Sequence, residues 1–432
     1  MTAHTYDGSL MKKTVLLTAI AAALFFAPDA VRAQNYIAPT PPPEDSSNRI
    51  ATTAFVQQSF SVCYSIDAFY QTADGTDWLP AWNRIVASFG STSDICIEFG
   101  PKTYSFSAQA SVTVALNYSI RLFGEGKTVT HLLWPNNTPG MVITSANQSA
   151  VDVSDLDFRT GTTNSNNALT INSSDCTGAA KSSGFRNLAF AGSGSYPFTN
   201  YWTYGLVINT LSFVNLTNID FFGDSGNHMT GLQYQSTNSG GGCYGIVFNA
   251  DQINFINNAT GFSIGTYVQG ITVDHSNFTN GNYGIVLANT AYNVDQIVVS
   301  NSQFNTSAEQ IYINPASSST LGTQIHHNTF TIPASHTGIH ITGGSWHVID
   351  GNILINGASY GVTGLTAIQI DNNNSSAGGG VITGNFINNV SYGVALAAPT
   401  TNWNVQSNAY GPSVTTQVSN SGTGNTIGGG SK

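Results

Sequence analysis

"GITVDHSNFTNGNYGIVLAN" (Gly270–Asn289) alternates apolar residues with Asn, Ser and Thr, places glycines between them, and sets His275 beside Asp274. Variants of it return downstream. A turn followed by a polar and then an apolar residue appears as "DHSNF" (274–278), "SNSQF" (300–304), "HHNTF" (326–330), "DGNIL" (350–354), "TGNFI" (383–387) and "QSNAY" (406–410). Measured at Phe278, Phe304, Phe330, Ile353, Phe386 and Ala409, the spacings are 26, 26, 23, 33 and 23 residues. Such self-similarity is the signature of a solenoid, and intervals of this length suit one coil of a right-handed parallel β-helix. A second marker is a small or aromatic residue, a glycine, then alternating apolar positions. It reads "YGLVI" at Tyr204, "TGLQY" at Thr230, "YGIVF" at Tyr244, "TGFSI" at Thr260 and "YGIVL" at Tyr283, then "TGIHI" at Thr337, "YGVTG" at Tyr360 and "YGVAL" at Tyr392.

Stacked coils rise about 4.8 Å per step, so like residues lie over one another. Phe278, Phe304 and Phe330 are then expected in the core, and turn asparagines are expected to form a hydrogen-bonded ladder. The long interval contains "DNNNSSAGGG" (371–380), read as a loop pushed out of one coil. Composition agrees with an all-β solenoid. The chain of 432 residues is 41% hydrophobic but only 8% charged, against about 25% charged in ordinary domains. Asn, Ser, Thr and Gln carry its solubility.

Upstream, "ADGTDWLPAWNRIVASFG" (73–90) starts with a turn in which Asp77 can cap a helix, with Trp82, Ile85, Val86 and Phe89 on one face. "ICIEFGPKTYSFS" (95–107) and "IRLFGEGKTVTHLLW" (120–134) follow as strands. The order Asp-Gly-x-Thr-Asp, helix, strand, Gly-x-Gly and Thr-x-x-Leu resembles the start of the pectate-lyase superfamily, closest to its tailspike-type members. Trp78 stands where a second Asp is usual there, and Gly100-Pro101-Lys102 replaces Pro-x-Gly. The resemblance implies a β-helix capped by the short N-terminal helix, and it makes this segment a cap without an active site. "NRIATTAFVQQ" (48–58) resembles a stretch found upstream of the body in phage tail-fibre and bacterial surface proteins, which implies a homotrimer.

Lys12-Lys13, the apolar run Val15–Phe26 and the small-residue site Val31-Arg32-Ala33 read as a secretory signal, with Met1 or Met11 as the start. The expected organisation is signal peptide 1–33, Pro-rich linker 34–60, cap 61–109, β-helix 110–412 and flexible tail 413–432. No membrane insertion is expected. The formal charge is −10, and cleavage makes it one unit more negative by removing Lys12, Lys13 and Arg32 with Asp7 and Asp29. That disfavours nucleic acid and anionic membranes as partners. In an exported chain Cys63, Cys96, Cys176 and Cys243 suit two disulfides. Sequence proximity favours Cys63–Cys96 and Cys176–Cys243; buried free thiols are the alternative.

No Lys or Arg occurs between Asn187 and Ser431, so the repeats lack the basic residues that lyase chemistry on polyuronates requires. Paired carboxylates remain. Retaining glycosidases hold them about 5 Å apart and inverting ones about 6.5–9.5 Å, distances that one or two rungs supply. The densest acids are Asp251, Asp274 and Asp295; "NADQINF" and "NVDQIVV" align Asp251 with Asp295, leaving Asp274 in the coil between. Asp220, Asp224 and His228 form a second group. All of these also fit turns, where Asp bonds its own backbone. His275, His326 and His327 are expected in one column with Asn301, without a metal, which would need three or four converging ligands. Sugar contacts are assigned to His275, Tyr292, Tyr312 and His327, with Tyr234, Tyr267, Trp346 and Trp403 as further platforms. No cofactor is implied. The expected function is a secreted glycoside hydrolase on a neutral or weakly charged polysaccharide; the alternative is a non-catalytic rod that binds a surface glycan.

Overall fold

Val268–Asp274, Asn277–Thr279 and Tyr283–Leu287 are the strands of one coil, and each pairs in parallel with its counterparts in the coils before and after. In the computed structural model of the protein, residues 63–89, 93–146, 148–173, 180–236, 244–287, 294–315, 322–333, 336–357, 365–371 and 379–428 are described. The signal, the linker, Cys176, Cys243, Tyr292 and the "YGVTG" repeat lie outside them. Repetition of the coil builds a right-handed parallel β-helix. One wall is a sheet of 12 strands; the other strands form a second sheet, folded along its length.

That fold line is set by one residue per coil. His275, Asn301, His327, Gly351, Gly384 and Ser407 all have φ between 44° and 66°, a left-handed conformation that reverses the chain's course within a single residue. Directly before them, Asp274, Ser300, His326, Asp350, Thr383 and Gln406 oppose one another. The "DHSNF" family is thus in register as the sequence predicts, with one correction. His327, not His326, shares the column of His275 and Asn301; His326 stands one residue earlier.

Directly after the corner comes the ladder. Ser276 N donates to Ser302 Oγ, Ser302 N to Asn328 Oδ1, Asn328 N to Asn352 Oδ1, Asn352 N to Asn385 Oδ1, and Asn385 N to Asn408 Oδ1, each at 3.0 Å. All six side chains are buried. They satisfy backbone donors that the corner takes out of the sheet.

Two residues later Phe190, Phe221, Phe255, Phe278, Phe304 and Phe330 stack with centroids 4.5–5.0 Å apart and nearly parallel rings. The rung spacing imposes that distance. Leu354, Ile387 and Tyr410 continue the stack. Ile353 and Phe386, used for the sequence spacing, sit one residue early and are 45% and 42% exposed. The glycine of the second marker lies on the facing sheet because of these rings. A Cβ on Gly261 would come 2.6 Å from the Phe278 ring, and one on Gly284 2.8 Å from Phe304. "YGIVF" at Tyr244 is the exception, since Gly245–Ile256 belongs to the folded sheet.

The helix Leu79–Ser88 buries Trp82 and Ile85, with Val86 and Phe89 packed at the edge of the same core. Trp82 Nε1 donates to Ser111 O. Rungs extend beyond the expected bounds of 110 and 412. Tyr64–Ser65 already pairs with Ile97–Glu98, and Thr416–Asn420 pairs with Tyr392–Leu396. A disulfide joins Cys63 to Cys96 beside this first pairing.

Candidate functional site

On the outer face of the folded sheet, His131, Asp157, Ala189, Asp220 and Asn254 occupy successive rungs of one column. Here the wall carries chemistry rather than a neutral ladder. A cleft of about 280 Å³ opens over it, lined by Lys127, His131, Asp157, Arg159, Asp220 and Phe222 among others. Ala189 supplies the gap: a methyl group between two carboxylates two rungs apart, a backbone separation of about 9.6 Å.

Asp157 is 1% exposed and holds two neighbours, with Oδ2 taking His131 Nδ1 at 2.8 Å and the Arg159 Nε as well. A charge this buried requires such partners. Because Nδ1 faces a carboxylate it carries the proton, which leaves Nε2 as the basic nitrogen. At the other end Asp220 Oδ2 lies 2.8 Å from Lys127 Nζ, and its Oδ1 accepts from Asn254 Nδ2 at 2.8 Å. Lys127 also donates to Asn218 Oδ1 at 3.0 Å.

The loop 124–130 puts Lys127 there. Gly124 passes so close to the next coil that a Cβ would sit 2.4 Å from Asp155 O. Gly126 N then donates to Asp155 O, and Thr130 N to Gly126 O. Bound back on itself this way, the loop carries Lys127 across three rungs to Asp220. Tyr196, Phe198 and Phe222 meet edge-on with centroids 5.9–6.3 Å apart, and Phe198 and Phe222 form the apolar wall.

The Gly-x-Gly and Thr-x-x-Leu segment, read from sequence as a cap without an active site, therefore supplies Lys127 and His131. The stretch without Lys or Arg begins only at Asn187, downstream of every cation in this cleft. The only available signal was the crowding of Lys127, His131, Arg159 and Asp157 into little more than one coil.

Asp251 and Asp274 stand directly opposite each other on adjoining rungs. Asp295 does not join them. It opposes Gln269, whose Nε2 donates to it at 3.0 Å, so the expected alignment of Asp251 with Asp295 is overturned. The reason is that Asp251 precedes the second left-handed residue of its strand, Gln252, whereas Asp295 precedes the first, Gln296. Burial pushes the Asp295 carboxyl up, against the Gln269 bond. For Asp274 burial acts the same way, but bonds from Ser300 and Asn301 and the nearby His275 outweigh it and hold the carboxyl below its usual range. His275 Nδ1 lies 3.1 Å from both Asp251 Oδ1 and Asp274 Oδ2. This trio, two half-buried carboxylates and an exposed histidine, is the group among the described residues whose donor atoms converge closely enough to suggest a metal ion.

The other expected residues are dispersed. His327 Nδ1 meets His326 Nδ1 at 3.0 Å. Tyr312 lies on the 12-stranded sheet, its ring tilted against His340 at 5.0 Å, whose Nε2 is 2.8 Å from Asp371. Asp224 closes its own turn by accepting from Gly226 N, His228 N and His228 Nδ1. Tyr234 and Trp403 are buried and offer no platform, while Trp346 is exposed.

No family model matches the sequence, and no curated protein does. Solved structures do. The Dettilon tailspike protein is similar with a TM-score of 0.57 at 11% identity, over 87% of this chain and 71% of that one. The A-module of mannuronan C-5 epimerase AlgE6 from Azotobacter vinelandii gives 0.50 at 16% identity, over 85% and 98%. The likeness is one of fold.

Proposed function

We propose that the protein is an exported enzyme that processes a polysaccharide bearing acidic sugars, at the cleft between Lys127 and Arg159. The observation that carries this reading is the His131–Asp157 pair sharing one cleft with Lys127 and Arg159. Asp157 orients His131 and supports its charge, so Nε2 can take the proton from the carbon beside a sugar carboxylate. The electron pair left behind moves onto the carboxylate oxygens, where Arg159 and Lys127 stabilise it. A proton supplied by water to the opposite face, with His131 releasing its own to solvent, inverts that carbon; passing the His131 proton to the departing glycosidic oxygen instead cleaves the chain and leaves an unsaturated end. Phe198 and Phe222 offer the ring an apolar surface. The similar epimerase structure is named for action on mannuronan, an acidic polysaccharide, which supports this substrate class. The disulfide supports export.

A second reading is glycoside hydrolysis by Asp251 and Asp274, favoured by their opposition on adjoining rungs. Asp274, whose carboxyl is held below its usual range, is a poor proton donor for that reaction. Incubation with polyuronates and neutral polysaccharides separates the two. Unsaturated ends or inverted residues, formed by wild type and lost in His131→Ala, support the cleft. New reducing ends without unsaturation, lost in Asp274→Asn and kept in His131→Ala, would replace it with the hydrolase.

A further inference from the structure

A second groove lies on the same folded sheet, nearer the C-terminus. It encloses about 460 Å³ and is lined by Trp346, Val348, Val381, Asn402 and Asn404, with Gly379 and Gly380 beside them. Val348, Val381 and Asn404 are opposed on three successive rungs. Seven rungs separate this coil from Asp157, about 34 Å along the wall.

Trp346 is 66% exposed, more than any other large apolar side chain among the described residues. Its backbone is nonetheless fixed, since Trp346 N donates to Gly379 O at 2.9 Å. The coils beside it pack so closely that only glycine fits at two positions. A Cβ on Gly379 would sit 2.1 Å from Asn402 O, and one on Gly380 2.4 Å from His347 O. Asn404 Oδ1 is buried without a donor among the described residues.

We infer that this groove is a binding subsite for a neutral sugar, its ring stacked on Trp346 and its hydroxyls bonded by Asn402 and Asn404. Among the described residues lining the groove, none exposes an acidic or basic side chain, and His347 is buried against Trp403. A charged ligand finds no partner there. An apolar peptide face would cover the indole but leave the two amides without partners. A sugar has both an apolar C–H face and a rim of hydroxyl donors, and it fits a groove of this size. The inference does not depend on the chemistry at His131.

The test is isothermal titration of the whole protein with dextran, galactomannan, xyloglucan and soluble β-glucan fragments. At least one neutral glycan should bind, Trp346→Ala should weaken it at least tenfold, and Trp346→Phe should restore part of the loss. Because Trp346 is exposed, the melting temperature should stay unchanged, which separates lost binding from lost folding. Absence of binding by every fragment, or unchanged binding in Trp346→Ala, would overturn the inference.

Discussion

His131 and Asp157 face each other across one rung of the folded sheet, Nδ1 to Oδ2 at 2.8 Å. Neither side chain is on a flexible excursion. Both stand on paired strands, so the backbone ladder fixes their separation, and a histidine base keeps one tautomer.

Replacing His131 with Ala should lower turnover by about 10²–10⁴-fold, the usual cost of losing a positioned base. Asp157→Asn should also slow the reaction severely, because the amide no longer favours the proton on Nδ1. Arg159→Gln should raise KM as well, since it removes a partner of the acidic group. Steady-state kinetics with a polyuronate measures all three.

The ladder carries stability rather than function. Asn352 accepts from Asn328 N and donates to Ile325 O and Asn385 Oδ1, all out of solvent. Asn352→Leu leaves at least two buried groups unpaired and should cost about 2–5 kcal/mol. Denaturant unfolding would show it, with Ser421→Ala, at an exposed site, as a neutral reference.

Within the ring stack, Phe304→Ala should cost about 3–5 kcal/mol, because the rungs on either side cannot collapse into the gap. The midpoint of thermal unfolding should fall accordingly.

His347 makes stability depend on pH. Burial lowers its pKa to about 4, against bonds from the Gly343 and Gly344 backbone. The unfolded state, titrating near 6.5, then binds more protons than the folded one between these values. Its contribution is complete above pH 6.5 and falls away as the pH drops towards 4, by about 3 kcal/mol in all. His347→Phe should keep the stack on Trp403 and show a shallower loss over that window. Equilibrium unfolding at several pH values tests this.

The coil was legible because its determinants are local and repeated. Phe278, Phe304 and Phe330 recur at one spacing, and the first two need a glycine opposite, Gly261 and Gly284. Ile353 and Leu354 show the limit: both are apolar, and only the corner at Gly351 decides which faces inward. The alignment of Asp251 with Asp295 fails for a related reason: Asp251 stands before the second of two left-handed residues, Val247 and Gln252, and Asp295 before the first of its coil, Gln296, a difference that a sequence pattern does not show. The cleft escaped notice because it breaks the repeat. His131, Asp157 and Asp220 occupy positions that later coils fill with Asn254, Asn277 and Gln303, and Lys127 arrives from a loop three rungs away.

The most direct test of the central claim is a crystal structure of His131→Ala soaked with an oligouronate. The account predicts a sugar carboxylate within hydrogen-bonding reach of Arg159 or Lys127, with its ring against Phe198 or Phe222. An oligouronate lying instead across Asp251, Asp274 and His275, with the cleft empty, would contradict it.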